Sequence, residues 1–347
     1  MFYRNSEQLG EIHKYIDVVY NSDRWSNGIF CKQFSNIARQ VLFQSGMIEV
    51  LPCVNGTIAL QMALLYRRFA AVLVPDLTAA PVWLAAKNAQ MDSVAGVYYY
   101  DVEDDWEPNL LRIEEVLKLL APRPVAVIVV HTGGLVCRRI EDILKLCTEY
   151  WATLIEDISH AHCCSTVDGI AAGAYGDVVI GSMYATKVLT AGEGGFIGWR
   201  TPEDMYPIWN SGRDRQEKQV TLRATNGRPS EFQAALMLSA LHFLPEAIAE
   251  RVERARFLDV LISRRVRVPI RDSGDTSSFY KYIVMGDPEG IAALKSELAP
   301  AAMTGLVHDT YSVERERDAP LSKRHVCLNL FYPDLDEVAK TVNLILA

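Results

Sequence analysis

Three short segments carry residue types that suit joint work on one small molecule. The run Ser182-Met183-Tyr184-Ala185-Thr186-Lys187 leads into Val188-Leu189-Thr190-Ala191-Gly192-Glu193-Gly194-Gly195. A lysine just behind an apolar run, followed by a glycine-rich turn, suits an amine that must reach a carbonyl carbon while backbone packs close around it. Ile155-Glu156-Asp157 ends another apolar run in two acids. A carboxylate at a strand's carboxyl end can keep a pyridinium nitrogen protonated and so make a heteroaromatic ring an electron sink. Asn55-Gly56-Thr57 opens a strongly helical run from Ile58 to Leu65. Small polar residues there leave backbone N–H groups and the positive end of the helix dipole open to a phosphate.

Each segment also has an ordinary structural explanation. Asn-Gly-Thr before a helix is a common N-cap, two acids after a strand can simply cap or turn the chain, and a single lysine is most often a surface charge. Their combination argues for chemistry. The loop Gly-Thr, the strand Asp and the Lys behind a strand Ser follow one another along the chain, each at the carboxyl end of an apolar run.

The elements that must position them alternate in an α/β rhythm. Apolar or β-branched runs at Ala71 to Val74, Gly96 to Val102, Val125 to His131, Thr153 to Asp157, Asp177 to Ser182 and Gly195 to Trp199 read as strands. Between two of them, Arg138 to Cys147 repeats its apolar residues at helical spacing, so this unit reads as strand, helix, strand. Such crossovers give parallel strands covered by helices, and ligands in open α/β sheets sit at the carboxyl edge. After about residue 240 the pattern changes to a helix rich in Arg, Glu and Leu, a strand from Phe279 to Met285, a helix near Gly290 to Leu298 and a closing helix from Leu335. The expected division is a large domain over residues 1–240, with a mostly parallel sheet between helices, and a smaller α+β domain over 241–347.

Composition narrows the classes. The chain has 347 residues, half of them hydrophobic and 22% charged, with a net charge of −8. That is ordinary for a folded globular protein, and the negative balance weighs against a nucleic-acid partner. The basic run Arg264-Arg265-Val266-Arg267 reads as a solvated edge. Seven cysteines lack paired metal-site spacings, which suggests a reducing cytoplasm. His160 and His162 stand two apart with no third ligand in sight, so no metal is expected. The first residues lack a charged stretch before an apolar one, and no run of about 20 apolar residues occurs, so neither export nor a membrane partner is expected.

The sequence resembles the sugar aminotransferases of the DegT/StrS type, including aminohydroxybenzoate synthase-like members. The resemblance covers most of the chain. It is densest in Asn55 to Leu60, in Glu156-Asp157-Ile158-Ser159-His160-Ala161-His162, in Thr186-Lys187 with Thr190 to Gly195, and in Asn226-Gly227-Arg228-Pro229-Ser230-Glu231-Phe232-Gln233-Ala234-Ala235. It implies fold type I and a pyridoxal 5'-phosphate cofactor held as a Schiff base on Lys187. It further implies Asp157 on the pyridine nitrogen, Gly56, Thr57 and Ser182 on the phosphate, and His160 near the phenolic oxygen. Asn226 would reach the phosphate in the neighbouring subunit, which implies a homodimer with a shared site.

The chain departs from the family pattern in places. Where family members stack an aromatic on the cofactor ring after the Thr of a Pro-x-x-Thr loop, Pro75-Asp76-Leu77-Thr78 leads to Ala79. Trp83, one helical turn on, is either a cover for the ring in its place or a residue of the core. Arg67-Arg68-Phe69 runs almost directly into the next strand, His131-Thr132-Gly133-Gly134 is unusually glycine-rich, and Met303 to Arg324 is compressed. The resemblance implies transfer of an amino group from glutamate or glutamine to a keto-sugar, keto-cyclitol or related intermediate. The competing readings are an elimination, dehydration or aromatising reaction on the same cofactor and a non-catalytic partner subunit. Family dehydratases carry His in place of the reacting lysine, so Lys187 weighs against them.

Overall fold

Seven strands build the sheet that carries all three segments: β1 (Glu49–Cys53), β2 (Ala71–Pro75), β3 (Val97–Tyr100), β4 (Val125–Val130), β5 (Thr153–Asp157), β6 (Val178–Ser182) and β7 (Gly195–Trp199). The computed structural model describes residues 6–43, 47, 49–89, 96–269, 274–298 and 320–347. The strand order is β1-β7-β6-β5-β4-β2-β3. β7 pairs antiparallel with both β1 and β6, and the remaining pairs are parallel.

This register gathers the chemistry at one edge. Val130 stands beside Asp157, Asp157 beside Ile180, and Ser182 and Cys53 flank Gly195. The ends of β1, β5 and β6 therefore open side by side.

Helices α1 (Ser6–Tyr20) and α2 (Ile29–Val41) precede the sheet. Between and after its strands come α3 (Gly56–Leu65), α4 (Ala80–Ala89), α5 (Leu110–Leu120), α6 (Ile140–Glu149), α7 (Tyr206–Trp209) and α8 (Glu231–His242). Strand residues alternate between two cores, as a period of two requires. Val72, Val74, Ile128 and Ile155 pack with Leu60 and Trp209 on one face. Leu73, Val127 and Leu154 pack with Ile113 and Ile143 on the other. Each such side chain contributes roughly 1.5–3 kcal/mol when fully buried. A further cluster sets Phe34 of α2 and Leu241 of α8 against Val179 and Phe196.

The last part of the chain forms α9 (Leu244–Leu261), β8 (Tyr282–Met285), α10 (Pro288–Leu298), β9 (His325–Leu328) and α11 (Leu335–Leu346). β8 and β9 pair antiparallel. Ala255, Leu258, Val284, Leu294, Val326 and Val338 share a core of their own.

The β3 and β8 strands begin later than their sequence runs suggested, for one reason. Gly96 and Phe279 have φ of +85° and +44°, outside extended geometry, so β3 starts at Val97 and β8 at Tyr282. β1 was not anticipated, because Pro52 interrupts an already short apolar run. The compressed stretch from Met303 to Arg324 lies, up to residue 319, outside the described residues.

Candidate active site

At the edge where β1 and β6 end, the start of α3 is pressed against the sheet. Asn55 caps the helix, its Oδ1 accepting from the Ile58 amide at 2.8 Å. A Cβ on Gly56 would lie 2.7 Å from the Cβ of Ser182, and one on Gly195 would lie 2.6 Å from the Gly56 nitrogen. Side chains at either position would force the helix start away from the strands. Asn55, Gly56, Thr57 and Ser182 all line a cavity of about 710 Å³. The capping and ligand-binding readings of Asn-Gly-Thr are thus compatible, because the cap fixes where the helix start points.

Ser182 and Ser159 lock two strand ends together, the Ser182 amide donating to Ser159 Oγ at 2.8 Å. The glycine-rich turn is held from α8. Gln233 Nε2 donates to the carbonyls of Val54 and Glu193 at 2.8 and 2.9 Å.

The same cavity takes in Asp157, His160 and Lys187. All three are buried. Asp157 accepts from the Ser159 amide at 2.9 Å. Burial pushes its carboxyl above the ordinary range, against the opposing pull of Ser159 and of the Lys187 charge. Burial pushes the Lys187 amine down to about 8; Asp157 opposes this, and Lys281 adds to it. Desolvation thus dominates at both groups.

His160 Nδ1 accepts from the Gly133 amide at 3.2 Å. A neutral imidazole held this way carries its proton on Nε2. Gly133 and Gly134 adopt φ of +71° and +98°, which explains the two glycines after Thr132.

Adjacent acids meet different fates, because successive strand residues point to opposite faces. Glu156 turns away from Asp157's cavity and is fully buried. It accepts from His131 Nε2, Gly173 N and Tyr175 N, each at 2.8 Å, and from Gly176 N. Burial alone would raise its pKa, but His131 and the amides of Gly173 and Gly176 hold it below the ordinary carboxylate range.

Two expected site residues are not brought to the cavity. Trp83 is a correction: the wall beside α4 is made by Thr78, Ala79, Ala80, Pro81 and Val82. Its indole faces β3 instead, donating to the Tyr99 hydroxyl at 2.9 Å, with Lys87 Nζ 5.6 Å from the ring centroid. Asn226 is exposed, bridges to Asn210 and does not line the cavity within one chain.

The structure adds residues that the sequence reading missed. Tyr280 stacks on His160 with centroids 4.4 Å apart, lies 4.7 Å from Lys187 Nζ, and its hydroxyl meets Thr186 Oγ1 at 3.0 Å. Arg251, Lys281, Asn329 and Phe331 complete that wall. All come from beyond residue 241, where the sequence offers no motif. Tyr280-Lys281 sits inside the expected strand and gives no signal of a site. His162 lies under the site, fully buried against Phe196, and neither ring nitrogen has a hydrogen-bond partner among the described residues. Burial drives its pKa down to about 3, so the ring is neutral. No group of three or more His, Cys, Asp or Glu side chains suited to a metal occurs among the described residues.

The mixed sheet with a buried lysine and acid at its carboxyl edge has the fold type I aminotransferase architecture. The chain belongs to the DegT/DnrJ/EryC1/StrS aminotransferase family, whose sequence profile matches residues 7–317. An L-glutamine:2-deoxy-scyllo-inosose aminotransferase of Streptomyces paromomycinus is 30% identical over 292 residues, covering 77% of this chain and 66% of that protein. The match thus spans just under two thirds of the relative's length. An aminotransferase of the same family from Brucella abortus has a similar structure, with a TM-score of 0.83 at 21% identity over 99% of this chain and 97% of that one. A 3-amino-5-hydroxybenzoic acid synthase gives a TM-score of 0.79 at 21% identity, covering 99% and 97%. At such identities both structures establish the fold alone.

Proposed function

We propose that the chain is a pyridoxal-phosphate-dependent aminotransferase that moves an amino group from glutamine or glutamate to a keto-cyclitol, keto-sugar or related intermediate. The observation that carries this reading is the convergence of Lys187, Asp157 and the start of α3 on one cavity. The residues fit the cofactor. A helix start kept bare by Gly56 suits a phosphate, and a buried carboxylate suits a ring nitrogen. When bound, the group supplies an aldehyde carbon and a ring that draws electrons from the reacting carbon.

This chain's own residues would divide the remaining work. Gly56, Thr57 and Ser182 bind the phosphate. Asp157 would hold a proton at the ring nitrogen. His160 orients the ring through its Nε2–H. Lys187 is the nucleophile, and with a pKa of about 8 roughly a tenth of its amine is neutral at pH 7. The same Nζ would take up a proton at the donor's α-carbon.

The reading extends to assembly and setting. A homodimer fits the exposed Tyr20, Trp25, Ile29 and Val41 around the first two helices, and it would let Asn226 reach a neighbour's phosphate. The cluster of Ala255, Leu258, Val284 and Val338, distinct from the sheet core, supports the proposed division into domains 1–240 and 241–347. All seven cysteines are unpaired, which fits the cytoplasm.

The test is spectroscopic. Pyridoxal phosphate should give the protein a visible absorption band that L-glutamine or L-glutamate bleaches, with release of the corresponding keto acid. A band that persists with both donors, or no band at all, would refute amino transfer.

A further inference from the structure

The cavity wall formed by residues beyond 241 holds a guanidinium that the protein pairs only weakly. Arg251 of α9 is 8% exposed and lines the main cavity. It also shares a smaller cavity with Lys187, so the two are neighbours. Its Nη1 donates one long hydrogen bond, 3.3 Å, to the Phe279 carbonyl, and its Cζ lies 4.8 Å from the Phe331 ring centroid. No carboxylate among the described residues pairs with it. The adjacent Glu250 is taken by Arg254 at 3.2 Å.

A guanidinium offers five N–H donors, and most of these meet no acceptor among the described residues. Burying such a charge is costly unless it is paired. The same penalty appears in its pKa, which burial pushes down to about 10. A purely structural role does not account for this residue. The contact with Phe331 is duplicated by Arg254 at 4.9 Å, and one weak bond to a carbonyl does not require a charge. Lys281 and Asn329 line the same cavity, and burial also lowers the Lys281 amine. This wall is cationic, whereas the keto-cyclitols and simple keto-sugars of the proposed reaction are neutral.

We infer that Arg251, with Lys281 and Asn329 beside it, forms a subsite for the α-carboxylate of the amino donor. The inference rests on the aminotransferase reading above, because the donor is the reactant that always brings a carboxylate next to the carbon approaching Lys187. The planar fork of an arginine matches that group bidentately. Arg251 is then a binding and orienting residue: it fixes which donor hydrogen faces Lys187 Nζ.

Calorimetric titration of the cofactor-loaded protein tests this with two unreactive probes. Glutaramate is L-glutamine without its α-amine, and glutaramide is its neutral analogue. Wild type should bind glutaramate at least about tenfold more tightly than glutaramide. Arg251→Gln should abolish the preference, while Arg251→Lys should keep part of it. In the half-reaction with L-glutamine, Arg251→Gln should raise the half-saturating concentration at least about tenfold and change the limiting rate far less. Equal affinity for the two probes in wild type would overturn the proposal, as would wild-type glutaramate binding in a folded Arg251→Gln. An unchanged half-saturating concentration would also overturn it, since the carboxylate would then belong to the acceptor. If Arg251→Gln does not fold, the wild-type probe comparison and Arg251→Lys decide. Failure of the aminotransferase reading looks different: no visible band forms, yet the two probes can still be titrated against the cofactor-free chain.

Discussion

Replacing Lys187 by methionine removes an amine from a buried position, and the effect on stability should depend on pH. The folded amine titrates near 8, against about 10.5 for an unperturbed lysine. Between those values the unfolded chain binds more protons at this position than the folded one, so wild-type stability rises with pH across the window. Below pH 8 both states are protonated, and the whole penalty for burying the charge is present. A difference of about 2.5 units corresponds to about 3 kcal/mol at 1.36 kcal/mol per unit. Between pH 7 and 9.5 the wild type should recover about 2 kcal/mol of it. Methionine is similar in length and carries no charge, so Lys187→Met should show no such rise. Tyrosines and cysteines titrate in the same range, but they are common to both proteins and cancel in the difference. The assay is urea unfolding of cofactor-free wild type and Lys187→Met at several pH values. At pH 7 the variant should be the more stable, and the gap should narrow by about 2 kcal/mol by pH 9.5. A gap independent of pH would show that the amine is solvated in the folded chain and would refute the buried-nucleophile argument.

Other substitutions probe separate parts of the account. His162→Phe removes two unpartnered nitrogens beside Phe196 and should stabilise by about 1 kcal/mol. It should also flatten the loss of stability that wild type shows as pH falls below 6.5, because the buried ring resists protonation down to about 3; urea midpoints at pH 7 and 5 check both. Gly56→Ala puts a Cβ 2.7 Å from that of Ser182. Overpacking of about 1–3 kcal/mol should outweigh the helix-propensity gain of about 1 kcal/mol, and pyridoxal-phosphate affinity should drop, as read by absorbance titration. Trp83→Phe should leave cofactor affinity within about twofold, since only its bond to Tyr99 is lost and that bond is worth about 1 kcal/mol of stability.

The part of the site closest to the sheet was legible because its residues sit at strand ends. Asp157, Ser182 and Lys187 follow apolar runs that form β5 and β6, so their order along the chain maps onto one edge. Gly56-Thr57 could be read because a helix start has a spelling. The opposite wall was not legible. Arg251 sits on a helix rich in charge, and Tyr280 and Lys281 come just before β8, so nothing local separates them from ordinary surface or core positions. What selects them is packing between the two cores. Trp83 was misplaced for a related reason: helical spacing puts it one turn beyond Ala79, but spacing alone does not say which side of α4 faces the cavity. Tyr99, on the strand that follows α4, decides that.

The central claim is that one particular amine meets the cofactor aldehyde. Borohydride reduction of the pyridoxal-phosphate-loaded protein, followed by peptide mass spectrometry, tests it directly. The account predicts a single phosphopyridoxyl label on Lys187 and its absence when the sample is treated with L-glutamine before reduction. A label on Lys281, or spread over surface lysines with Lys187 unmodified, would contradict it.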